Sequence, residues 1–211
     1  MTIENLIRVV PPPPAPFEPF NGPWAPIEAK VGTALPQDYK DFVRLYGCGY
    51  FMQFLGINVP RSRNPNTRFE SQVKLTCDTF LYDQDLGYSL WPAPGGLLPF
   101  GGTDDGDCLF WLPRGAPAEW SVVVWDRGFW TFETFDCDLT DFLAGLATGE
   151  IKPREFPDDL LPCDCLFEAP SSHPPGLRLH PAAGASFSLS WRMGHGSGLS
   201  GVSTSRLREE D

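Results

Sequence analysis

Apolar side chains first recur at helical spacing over residues 23–31. There Trp24, Ile27 and Val31 share one face, and Gly32 can close the helix in the left-handed conformation. A second stripe follows at once. Tyr39, Phe42, Val43 and Tyr46 fall at i, i+3, i+4 and i+7, with Pro36 suited to the first turn and Gly47 to the end. The link between the two is so short that the helices must pack against each other. Residues 50–55 then read as one short strand, and Phe69, Val73, Cys77 and Phe80 outline a third helix over residues 67–83.

From residue 97 the period changes to that of strands. Two apolar runs, residues 97–103 and 107–112, flank the turn Asp104-Asp105-Gly106, and Asp-Gly between apolar runs predicts a hairpin. Residues 120–125 are apolar at both alternating positions, which predicts a central strand covered on both faces. Asp126-Arg127-Gly128 turns the chain into a further strand over residues 129–135. A last helix starts at Asp138, a good N-cap, carries Leu139, Phe142, Leu143 and Leu146 on one face, and stops at Gly149. Cys165-Leu166-Phe167 is expected to add an edge strand. Helices, a meandering antiparallel sheet and a closing helix together make an α+β fold.

Composition sets the limits of that domain. With 211 residues, 42% hydrophobic, the chain suffices for one sizeable core, whereas two domains would each be thin. Of its 23 prolines, eight lie in the first 26 residues and four in the last 43, and six of its 21 glycines lie in that C-terminal stretch. Residues 1–21, with the polyproline run 11–16, read as a stiff and poorly structured entry, residues 22–168 as the domain, and residues 169–211 as a Ser/Gly/Pro-rich disordered tail in which Phe187, Leu189 and Trp191 dock at most locally.

The formal net charge is −11, with a pI near 4.6. Nucleic acid and anionic membranes are therefore unfavourable partners, and a basic protein is a favourable one. No window is apolar enough to span a bilayer, and no secretory signal opens the chain, so a cytoplasmic protein is expected. The six cysteines then read as small buried hydrophobes.

Candidate chemistry is sparse. His173, His180 and His195 all lie in the tail, which leaves no base for a cysteine or serine nucleophile in the domain. Cys163 and Cys165 with His173 and His180 match no usual zinc spacing. The turn Thr103-Asp104-Asp105-Gly106-Asp107 lacks the alternating ligands and distant glutamate of a calcium loop, and its aspartates would repel phosphate. The expectation is a non-enzyme without cofactor or metal.

Charge, however, is concentrated. Between Asp78 and Asp141 stand twelve acidic residues against two arginines, Arg114 and Arg127, mostly at turns. Turn and cap chemistry accounts for Asp104, Asp105 and Asp138. The same block also reads as an acidic face with aromatic anchors, and the candidate partner-binding residues are Asp104, Asp105, Asp107, Trp111, Asp126 and Trp130.

The order of motifs is itself informative. Trp24-x-x-Ile27-Glu28-x-x-Val31-Gly32-x-x-Leu35-Pro36-x-Asp38-Tyr39, then Gly47-Cys48-Gly49, resembles the opening of the SUKH superfamily, in particular the branch named for yeast regulators of cell-wall assembly. Leu98-Pro99-Phe100-Gly101, Asp105-Gly106-Asp107 with Trp111, the strand from Trp120 and Phe142-Leu143 extend the resemblance over about residues 22–150. It implies binding: bacterial members are mostly immunity proteins that neutralise a cognate toxin, often a basic nuclease, by occluding its active site. Glu28 and Tyr39 match family positions and are expected to be structural. A scaffold or regulatory module of the same fold, binding a cellular protein unrelated to toxins, is the alternative.

Overall fold

The computed structural model describes residues 3–80, 87–163 and 165–170. Among these residues there are five α-helices, α1 (Glu4–Val9), α2 (Ala25–Val31), α3 (Gln37–Leu45), α4 (Phe69–Phe80) and α5 (Leu139–Thr148). The same described residues include seven strands, β1 (Tyr50–Phe51), β2 (Leu55–Ile57), β3 (Leu98–Thr103), β4 (Cys108–Leu112), β5 (Ser121–Asp126), β6 (Thr131–Phe135) and β7 (Phe167–Glu168). They form one antiparallel sheet in the order β6-β5-β4-β3-β2-β1-β7. The fold is α+β, a nearly sequential meander with α4 inserted between β2 and β3. No helix among the described residues is long and apolar enough to cross a membrane.

Local chemistry sets the helix ends. Gly32 and Gly149 close α2 and α5 at φ of 84° and 76°, where a Cβ would be strained. The Asp138 carboxylate accepts from the Asp141 N–H at 2.8 Å and so satisfies one open donor of α5. Residues 50–55 differ from the single strand expected. Met52 and Gln53 adopt φ of 53° and 54°, so the run breaks into the β1–β2 hairpin.

Alternation along the strands builds two cores. Leu109 and Trp111 of β4, with Val122 and Val124 of β5, face a large core closed by the helices. Phe110, Leu112, Val123 and Trp125 face a smaller cluster on the opposite side, capped by Phe80 of α4. β5 is thus buried on both faces, as its unbroken apolar run predicts. Trp111 sits at the centre of the large core, its ring centroid 4.4 Å from that of Phe100 and 5.0 Å from that of Tyr39.

The N-terminal segment departs from the sequence reading. Residues 1–21 include α1, which packs on α5, and Leu6, Val10 and Phe20 are buried in the large core. Ile3, Leu6, Ile7 and Val10 do fall at i, i+3, i+4 and i+7, but this single short stripe runs directly into the proline run, whose composition directs the reading of residues 1–21 towards extended chain. The Tyr46 hydroxyl donates to the Val10 carbonyl at 2.5 Å, and the Cys48 N–H donates to the Phe17 carbonyl at 2.7 Å. A Cβ on Gly47 would lie 2.3 Å from Phe17 O, and one on Gly49 would lie 2.5 Å from Glu168 O. The Gly47-Cys48-Gly49 turn is therefore where both chain ends of the domain approach the backbone. Residues 171–211, with the three histidines, Phe187, Leu189 and Trp191, lie outside the described residues.

Candidate functional site

The meander places three hairpin turns side by side at one end of the sheet. They connect β1 to β2, β3 to β4 and β5 to β6. Phe54 O of the first accepts from the Asp104 N–H of the second at 3.0 Å. The second and third are joined by Asp107, whose Oδ1 accepts from the Arg127 N–H at 3.1 Å. The other oxygen of Asp107, Oδ2, accepts from the Thr103 hydroxyl at 2.8 Å, while the Asp107 N–H donates to Thr103 Oγ1. Burial pushes the Asp107 carboxyl above the usual range, an effect that the Arg127 N–H and the Thr103 hydroxyl partly offset.

The β5–β6 turn is held from within. Asp126 Oδ1 accepts from the Phe129 N–H at 2.5 Å, and Asp126 O accepts from the Trp130 N–H at 3.0 Å. These bonds carry Trp130 at φ of 60°, a left-handed conformation unusual for a bulky side chain. Its ring meets Trp125 edge-on at 5.7 Å, yet 57% of the residue remains exposed, and Phe129 beside it is 70% exposed. Two large aromatics held outward at one turn are an informative departure from a buried hydrophobe.

The six candidate residues accordingly divide. Asp104 and Asp105 are exposed at the β3–β4 turn, and Trp130 is exposed at the next. Asp107 and Asp126 are buried, and their oxygens accept from backbone and hydroxyl donors that shape the turns; they do not belong to the exposed surface. Trp111 is a correction of a different kind. At 1% exposure it is a core residue, because it falls on the inward side of β4. Phe129 was missed. The sequence reading begins the strand at residue 129, whereas β6 starts at Thr131 and leaves Phe129 in the turn after Gly128.

A shallow cleft opens beside these turns, between the sheet and residues 153–156, lined among others by Asp126, Glu133, Arg154 and Glu155. Glu133 Oε2 accepts from the Arg154 N–H at 2.8 Å, so this carboxylate, like those of Asp107 and Asp126, holds backbone. Among the described residues no group of three His, Cys, Asp or Glu side chains is placed to hold a metal ion.

Away from the turns, Glu28 and Tyr39 behave as structural residues. Glu28 Oε1 accepts from the Leu35 N–H at 2.9 Å and from Lys40 Nζ, tying the α2–α3 link to α3. The Tyr39 hydroxyl donates to the Asn58 carbonyl at 2.7 Å from within the large core. A family model described as SMI1-KNR4 cell-wall (SUKH_6) matches residues 22–143, more than half of the chain. The chain belongs to this family. No curated protein and no solved structure gives a significant match. In this SUKH domain the matched span includes all three turns, whereas α1 and β7 lie outside it.

Proposed function

We propose that this SUKH domain acts without catalysis, by binding another protein directly, and that it is a cytoplasmic immunity protein neutralising a cognate nuclease-type toxin. The observation that carries the reading is the pairing of exposed Phe129 and Trp130 with exposed Asp104 and Asp105 on adjoining turns. Aromatic side chains with few rotatable bonds are the usual energetic anchors of an interface. Carboxylates beside them favour a cationic surface, accelerate its approach and fix its orientation. A basic nuclease has such a surface around its substrate-binding cleft, so docking there would also block access of nucleic acid.

The test is to mix the purified full chain with toxin domains encoded beside its gene, measuring complex formation and residual nuclease activity. The expected result is a stoichiometric complex and loss of activity. The proposal fails if none of those domains binds or is inhibited.

A further inference from the structure

Among the described residues β6 forms one border of the sheet and pairs only with β5. Among the described residues its one other backbone hydrogen bond, from the Cys137 N–H to the Phe135 carbonyl, closes a turn at the strand's end. Thr131 and Thr134 are exposed, and the five pairs with β5 run without a bulge. The strand reads Thr-Phe-Glu-Thr-Phe, rich in β-favouring residues, with neither the lysine nor the proline that commonly blocks an open edge. The opposite border is β7, with only two residues.

Charge distinguishes among possible occupants. A second copy pairing antiparallel over the whole strand would place Glu133 directly opposite its own equivalent, a repulsive cross-strand pair. Asp136 follows the strand as a further exposed carboxylate, and Glu155 lines the adjacent cleft. A cationic strand satisfies this edge and a copy of the chain does not. Phe129 and Trp130 stand exposed at the entry to β6.

We infer that β6 is a docking strand, and that an extended lysine- or arginine-bearing segment of the partner protein adds to its free edge as an eighth strand, with a cation opposite Glu133. This rests on the protein-binding reading above and names the chemistry of the bound segment. Backbone pairing supplies affinity in such additions, and side chains at alternate positions supply selectivity.

The probes are short acetylated peptides alternating valine with lysine, the same peptides with glutamate for lysine, and two lysine versions N-methylated at alternate amides in opposite phase. Each is titrated into the isotopically labelled full chain and followed by amide shifts. Expected are saturable shifts over residues 129–135, affinity about tenfold or more weaker for the glutamate peptide, and loss of binding in only one methylated phase, since one edge of the peptide faces β6. Glu133→Lys should reverse the charge preference; because it also removes the bond from the Arg154 N–H to Glu133, its fold is checked by amide shifts unchanged outside residues 129–135 and 153–156. Shifts confined to other regions, or equal binding of both methylated phases and the parent, overturn the inference. Because the peptides contain no toxin, their binding is independent of the immunity reading. Conversely, a toxin complex unweakened by Glu133→Lys would overturn the docking strand and leave that reading standing.

Discussion

Asp38 illustrates how a position that resembles ordinary helix-start chemistry acquires a cost from its surroundings. Its Oδ2 accepts from the Thr140 N–H at 3.2 Å, linking the first turns of α3 and α5. Burial, and then the nearby Asp138 carboxylate, raise its pKa from 3.8 to about 6, despite hydrogen bonds that oppose the shift. The folded state therefore holds this proton more tightly than the unfolded chain does. Its stabilising contribution is complete below pH 3.8 and is lost as pH rises through about 6. Asp38→Asn keeps an oxygen acceptor without the charge, so it should stabilise the protein by about 1–2 kcal/mol at pH 7.5 and give little gain near pH 4. Thermal melts at the two pH values check this. The tryptophans give a second contrast. Trp111→Ala should cost about 3–5 kcal/mol in denaturant unfolding, because it empties the centre of the large core. Trp130→Ala should cost about 1 kcal/mol or less, its main effect falling on partner affinity.

Among the elements, the N-terminal strap and the Gly47-Cys48-Gly49 turn depend on one another. Gly47 and Gly95 have nearly equal φ, 70° and 71°, but a Cβ on Gly95 meets nothing within 4 Å. Gly95→Ala should therefore cost only the backbone strain, about 1 kcal/mol. Gly47→Ala adds a collision with the Phe17 carbonyl and should cost at least about 2 kcal/mol more, visible as a lower unfolding midpoint. The difference between the two variants isolates the close approach of the strap. Helices α2, α3 and α5 were legible in the sequence because each carries its own periodic stripe and terminating glycine. α1 was not, although Ile3, Leu6 and Val10 share helical spacing, because it is only six residues long, ends at a proline run with no terminating glycine, and rests on α5. The β1–β2 break was hidden for a similar reason, because left-handed Met52 and Gln53 carry no glycine to announce them.

Across the whole molecule, acidity located by sequence becomes a surface only in part. Asp104→Asn combined with Asp105→Asn should slow association with a basic partner about tenfold at low salt and flatten the dependence of the on-rate on ionic strength, with dissociation nearly unchanged. Stopped-flow mixing at two salt concentrations measures it. Asp107→Asn should lower stability, because both Asp107 oxygens accept, from the Arg127 N–H and from the Thr103 hydroxyl, and an amide keeps only one acceptor. The sequence by itself determined the α+β order, the helix stripes, the hairpin at Asp105-Gly106 and the family, since these depend on residues close together in the chain. Only the tertiary structure decided which aspartates and tryptophans face outward. Facing is fixed by strand parity and by neighbours distant in sequence: Trp111 falls on the inward side of β4 against Tyr39 and Phe100, while the Asp126 turn holds Trp130 in the open.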